Sequence, residues 1–135
     1  MVTNVEISRS LLGRIIAHAR AEPTEEVCGL LLGRPGRIEA VVAAANVAAD
    51  RRDSFELDPG VLLGAYRQAR AGGPAVLGHY HSHPGGQAAP SRRDAEHAVA
   101  GGLWLIVAGE HAALFEARQD GPIQDRFHAL VLQVL

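Results

Sequence analysis

Three histidines alternate in the segment His79-Tyr80-His81-Ser82-His83, and Asp94 follows His83 after a loop and the pair Arg92-Arg93. In an extended chain, side chains two residues apart share a face and lie roughly 6–7 Å apart along the backbone. Two imidazoles so placed can converge on one cation, since their nitrogens bind zinc at about 2.0–2.1 Å. Asp94, at the start of the next helix, would add an oxygen ligand. Three protein ligands leave a fourth tetrahedral position for water, which marks a hydrolytic zinc site rather than a closed structural one. Spacing alone allows either His79 with His81 or His81 with His83. Ligands belong where a strand ends and the sheet opens, which favours His81 and His83, with His79 deeper on the same face as a group supporting the ligands.

Ser91 and Asp94 carry a second reading. Serine followed three residues later by an acidic residue at a helix start makes a capping box, in which both side chains serve unpaired backbone amides. Capping and metal binding partly coexist, because a capping carboxylate still has lone pairs to offer. A zinc-activated water also needs a proton acceptor that is not itself a ligand. Glu25 and Glu26 both precede an apolar run and either could be an ordinary solvated carboxylate. Glu26 is adjacent to the run and so is carried toward the sheet.

The elements that must position these groups follow from periodicity. Val5–Ile7 reads as a short strand, and Ser8 or Ser10 can cap a helix to about Ala21, with Leu11, Leu12, Ile15, Ile16 and Ala19 at helical spacing. The apolar run Val27–Gly33 fits a strand buried on both faces, returning through a turn at Pro35-Gly36 into Arg37–Asn46. A short strand is expected at Ser54–Leu57. Asp58-Pro59 then starts a helix to about Ala71. Ala75–His83 is the strand that bears the histidines, and Ser91 opens a helix to about Ala100. Trp104–Ala108, Ala112–Ala117 and Ile123–Val134 complete the strands. Helices scattered among strands imply an α/β fold with a mixed, curved β-sheet flanked by helices.

Composition narrows the classes. The 135 residues suit a single domain spanning 1–135, and 47% hydrophobic with 21% charged residues is ordinary for a globular chain. The lone Cys28 excludes an intrachain disulfide or a multi-cysteine zinc site and reads as a small core residue. With a net charge of −2 and dispersed arginines, no phosphate-tracking stripe forms, so nucleic acid is not an expected partner. No apolar run is long enough to span a membrane and no signal pattern opens the chain, so the expected compartment is the cytoplasm.

His81-Ser82-His83, residues 84–90, Ser91 and Asp94 together make His-x-His-x7-Ser-x2-Asp, and the chain therefore resembles the JAMM, or MPN-plus, metalloprotease family. The family's glutamate stands three residues before a Gly-Leu-Leu segment, which selects Glu26 ahead of Gly29-Leu30-Leu31. Asn46, Phe55 and Asp58-Pro59 resemble the family's middle region. His79 is a departure, since relatives often carry an aromatic there. The resemblance implies an MPN, cytidine-deaminase-like architecture and one zinc per chain held by His81, His83 and Asp94. It also implies peptide or isopeptide hydrolysis, with Glu26 as proton acceptor and Ser91 stabilising the oxyanion. The compact length resembles prokaryotic members, whose substrates are small ubiquitin-like or sulfur-carrier proteins ending in Gly-Gly. Alternatives are a non-catalytic scaffold of the same fold and a cell-wall or phage-tail peptidase. A zinc deaminase would need His-x-Glu and Pro-Cys-x-x-Cys, which this chain lacks.

Overall fold

A computed structural model describes residues 3–98 and 100–135. Along them run β1 (Asn4–Ile7), α1 (Arg9–Ala21), β2 (Cys28–Arg34), β3 (Arg37–Ala44), α2 (Pro59–Arg70), β4 (Ala75–Ser82), α3 (Arg92–His97), β5 (Leu103–Ala108), β6 (His111–Ala117) and β7 (Phe127–Val134). The strand order is β1-β3-β2-β4-β5-β6-β7, and β1 pairs in parallel with both β3 and β7. The expected mixed, curved sheet therefore bends all the way to closure as a barrel.

Alternation along the central strands separates the core into layers. Leu31 of β2, Tyr80 of β4 and Leu105 and Val107 of β5 pack with Leu11, Leu12, Ile15 and Ile16 of α1. Their sequence neighbours point the other way: Leu30 and Leu32 pack with Ala65 of α2, and Trp104 and Ile106 with Phe115, Phe127 and Ala95 of α3. His79 and His81 flank Tyr80 and so stand on the face away from α1. A slip of one residue would drive them into the α1 layer and turn Tyr80 out of it. Each fully buried leucine or isoleucine contributes about 1.5–3 kcal/mol, so this register is strongly specified.

Local signals start the helices. Ser8 caps α1 by accepting from the Leu11 amide at 3.1 Å, and Asp58 caps α2 from the Gly60 amide at 3.0 Å with Pro59 in the first turn. Gly36, at φ 85°, makes the turn between β2 and β3.

Three expected elements differ. Ser54–Leu57 forms no strand; only a single bridge joins Asn46 to Leu57. The reason is that Asn46 takes over the pairing: its side chain accepts from the Glu56 amide and donates to the Ser54 carbonyl. The last strand begins at Phe127 rather than Ile123, because Gln124 and Asp125 are left-handed, at φ 52° and 56°, and turn the chain tightly back. The helix opened by Ser91 ends at His97 instead of about Ala100, and Val99, within that expected helix, lies outside the described residues.

Candidate metal centre

Strand register brings the distant parts of the motif together. β2 and β4 are antiparallel, with Cys28 opposite His81 and Gly29 opposite Tyr80. Two residues further in the same register, just beyond both strands, Glu26 comes opposite His83. Hydrogen bonds hold this extension: the Ser82 amide donates to the Val27 carbonyl at 3.1 Å, the Val27 amide to Ser82 Oγ at 2.9 Å, and the His83 amide to the Val107 carbonyl at 2.8 Å. Glu26 is also tied at its own backbone. Its amide donates to the Arg51 carbonyl at 2.7 Å, and its carbonyl accepts from Asn46 Nδ2 at 2.8 Å.

α3 delivers the carboxylate. Ser91 Oγ accepts from the Asp94 amide at 3.0 Å while Asp94 Oδ2 accepts from the Ser91 amide at 2.9 Å, a complete capping box. The same Oδ2 lies 3.1 Å from His83 Nε2 and 3.4 Å from His81 Nε2, and the two Nε2 atoms are 3.0 Å apart. Ligand atoms at zinc-like bond lengths on a tetrahedron would be separated by about 3.3 Å. The three atoms therefore fit one face of such a shell. Glu26 also brings a carboxylate oxygen within 4.8 Å of the same two imidazoles, a cluster that can hold a metal ion. Its Oε1 is buried with no hydrogen-bond partner, a state that costs roughly 1–3 kcal/mol and calls for a polar occupant.

The two histidines present their Nε2 atoms for different reasons. His83 Nδ1 faces the Gln87 carbonyl at 2.9 Å, and His81 Nδ1 faces His79 Nε2 at 3.2 Å. Aromatic walls restrain the rings: Phe55 stacks on His81 with centroids 4.3 Å apart, and Trp104 meets His79 edge-on at 4.4 Å. Sequence reasoning assigned no role to Trp104 or Ser82, and placed Phe55 only by resemblance. A lone aromatic within the polar stretch Ser54–Glu56 was the available signal for Phe55.

Burial sets the electrostatics, with neighbours modifying it. Burial pushes the Glu26 carboxyl up to about 7, assisted by the nearby Asp94 and Asp53 and opposed by His83. Burial would also raise Asp94, but hydrogen bonds from His81, His83 and the Ser91 amide reverse this and hold it well below the usual carboxylate range. Burial lowers His81 below the ordinary imidazole value, with Asp94 partly offsetting it. For His83 the opposing pull of burial is overcome by Asp94, the Gln87 carbonyl and Glu26, and its pKa is raised.

Residues 8–120 match the family model described as prokaryotic homologs of the JAB domain. The chain belongs to the prokaryotic branch of the JAMM (JAB/MPN) family. Among this JAB chain's relatives, a desampylase of Haloferax volcanii is 37% identical over 90 residues, which are 62% of this chain and 65% of the relative. A CysO-cysteine peptidase of Mycobacterium tuberculosis is 35% identical over 91 residues, or 65% of this chain and 61% of that protein. The matches thus span somewhat less than two thirds of these relatives. The JAB fold recurs in the solution structure of protein DSY2949 from Desulfitobacterium hafniense, at TM-score 0.83 and 26% identity, covering 97% of this chain and 92% of that one. It recurs again in AF2198, a JAB1/MPN domain protein of Archaeoglobus fulgidus, at TM-score 0.62 and 21% identity over 98% of each chain.

Of the openings that border the JAB site, two flank the donor cluster. A largely apolar cavity of about 690 Å³ is lined by Phe55, Leu57, Leu62, His97 and Trp104 and bordered by His79 and Asp94. A more polar cleft of about 390 Å³ is lined by Glu26, Arg52, Asp53, His83, Pro90 and Ser91. Asp94 borders the first and His83 the second, so an extended molecule reaching both would cross the donor cluster.

Proposed function

We propose that this chain is a zinc-dependent peptidase or isopeptidase that hydrolyses the bond after the Gly-Gly tail of a small ubiquitin-like or sulfur-carrier protein. The observation that carries this reading is the triad of donor atoms 3.0–3.4 Å apart, with the unpaired, buried Glu26 Oε1 beside it. His81, His83 and Asp94 would hold the zinc. When bound, it supplies Lewis acidity, which lowers the pKa of water from 15.7 to about 7.

The chain's own residues do the rest. Glu26 takes the proton from the attacking water: its Oε1 is buried, holds no other partner and stands beside the His81 and His83 donors. As the C–N bond breaks, Glu26 returns that proton to the departing amine. The Ser91 hydroxyl accepts from the Asp94 amide and keeps its hydrogen to donate to the oxyanion; one such donor is typically worth about 10²–10³ in rate. No side chain attacks the carbonyl.

The substrate tail would lie in the apolar cavity beside Phe55 and Leu57, with the leaving group in the polar cleft beyond Glu26. Bonding of the tail's main chain to the irregular segment 54–57 would align it, and glycines would allow close approach because they carry no Cβ. Names such as desampylase and CysO-cysteine peptidase among the relatives support this reaction class. No described helix is long and apolar enough to cross a membrane. We assign the protein to the cytoplasm together with its substrate.

The test is a set of fusions in which a ubiquitin-fold protein ending in Gly-Gly precedes a residue or peptide. Zinc-replete protein should cut after Gly-Gly. Bulky replacements of the tail glycines should slow it far more than changes after the bond. Glu26→Gln should bind the fusion without cutting it. A panel of bacterial ubiquitin-like fusions left intact would instead favour the scaffold or the cell-wall peptidase.

A further inference from the structure

The two imidazoles of the donor triad are oriented by chemically different partners. His83 Nδ1 faces the Gln87 carbonyl at 2.9 Å, and a carbonyl only accepts. The neutral His83 ring must therefore carry its proton on Nδ1 and leave a lone pair on Nε2. His81 Nδ1 faces His79 Nε2 at 3.2 Å, and an imidazole nitrogen can play either part. Were His79 the donor, His81 would carry its proton on Nε2, the atom 3.4 Å from Asp94 Oδ2, and would have no lone pair there for a cation. With His79 Nε2 as acceptor, His81 is protonated on Nδ1 and its Nε2 is free to bind.

His79 is built to hold one position. It is buried on β4, between Leu30 of β2 and Trp104 of β5 in register. Phe55 lies over it with centroids 4.8 Å apart, and Trp104 meets it edge-on at an interplanar angle of 74°. Its ring and that of His81 are nearly parallel, at 21°. A phenylalanine here would fill this space but accept nothing.

We propose that His79, as its neutral Nδ1–H tautomer, is a positioning residue that accepts the Nδ1–H of His81 and so sets the tautomer and ring orientation with which His81 faces His83 and Asp94. This rests on the reading of His81, His83 and Asp94 as metal ligands. Partners of this kind, one shell behind a ligand, typically carry about 10–100-fold in metal affinity.

The experiment is zinc titration against a chromophoric chelator, using the full chain as wild type, His79→Phe and His79→Gln, with thermal melts of each metal-free form. His79→Phe keeps the bulk and removes the acceptor; it should bind zinc about 10–100-fold more weakly while melting no lower than wild type. His79→Gln restores an acceptor oxygen and should recover affinity to within a few-fold. In zinc-loaded wild type, the imidazole nitrogen shifts should report a protonated Nδ1 and a bare Nε2 for His79, a readout that needs no variant to fold. Zinc binding by His79→Phe within twofold of wild type, a glutamine variant as weak as the phenylalanine one, or a protonated His79 Nε2 would each overturn the proposal. Wild type that binds no zinc would instead overturn the metal reading on which it rests.

Discussion

Asn46 donates from one amide nitrogen to the carbonyls of Glu26, at 2.8 Å, and Ser54, at 3.0 Å, so one side chain joins the proposed base to the rim of the apolar cavity. Its Oδ1 accepts from the amides of Ala48 and Glu56. Four backbone groups, three of them in a loop that forms no strand, are satisfied by this residue. Asn46→Ala should cost roughly 1–3 kcal/mol in urea unfolding, because partly buried groups lose their partners. Turnover should fall further than the loss of folded protein explains. Asn46→Asp, which keeps the acceptor and loses the donors, should resemble alanine in turnover.

Ligand and cap can be separated at α3. His81→Ala and His83→Ala should each lose zinc, read by metal analysis after purification without chelator. Asp94→Asn keeps an acceptor for the Ser91 amide, so it should melt near wild type and still lose zinc. Ser91→Ala should do the reverse: retain zinc, lose about 0.5–2 kcal/mol of stability with its cap, and fall about a hundredfold in turnover. Loss of zinc from Ser91→Ala would show that the cap, and not the Asp94 carboxylate alone, makes the site.

Glu26 and Glu25 differ in what surrounds them. Glu25 pairs with Arg51 at 3.3 Å on the partly exposed surface, whereas Glu26 Oε1 is buried and unpaired. Glu26→Gln should retain zinc and lose hydrolysis, while Glu25→Gln should act nearly as wild type.

The buried Glu26 carboxyl also fixes a pH dependence for the metal-free protein. Its pKa rises on folding from 4.5 to about 7, so the folded state holds its proton more tightly. The stability this contributes is complete below about pH 4.5 and is lost as pH rises through about 7. Glu26→Gln removes that loss. Metal-free Glu26→Gln should therefore gain on wild type by roughly 1–3 kcal/mol between pH 5 and pH 8, measured by urea unfolding with chelator present. A difference between the two proteins that does not change with pH would contradict the burial of an ionisable Glu26.

Gly29 and Tyr80 face each other across β2 and β4, and a Cβ on Gly29 would stand 2.2 Å from the Tyr80 ring. That ring cannot swing aside, because it is buried against α1 and its hydroxyl is 2.7 Å from His18 Nδ1. Gly29→Ala should destabilise by about 1–3 kcal/mol or more through overpacking, seen as a lower urea midpoint at unchanged slope. Because the shift would spread the two strands that carry Glu26 and the histidines, zinc affinity should fall with it.

Much of this molecule follows from local sequence. Ser8 and Asp58-Pro59 start their helices, the apolar runs of β2 and β5 are buried on both faces, and alternation puts His79, His81 and His83 on one face. These are short-range consequences of side-chain geometry and of which atoms avoid water, and so they can be read from neighbours in the chain. The pairing of Glu26 with His83 is of another kind. It depends on the antiparallel register of β2 and β4, which is set by Gly29 under Tyr80 and by the division of leucines between the α1 and α2 layers. The choice of His79 rather than solvent as the partner of His81 Nδ1 depends on Phe55 and Trp104 closing over both rings, and they arrive from separate elements. The expected strand at Ser54–Leu57 failed for the same reason: a side chain from Asn46 outcompeted a strand for its backbone. Spacing along the chain named the groups capable of chemistry. Only packing across the chain decided their distances, their burial and their protons, because those depend on residues far away in sequence that displace water from them.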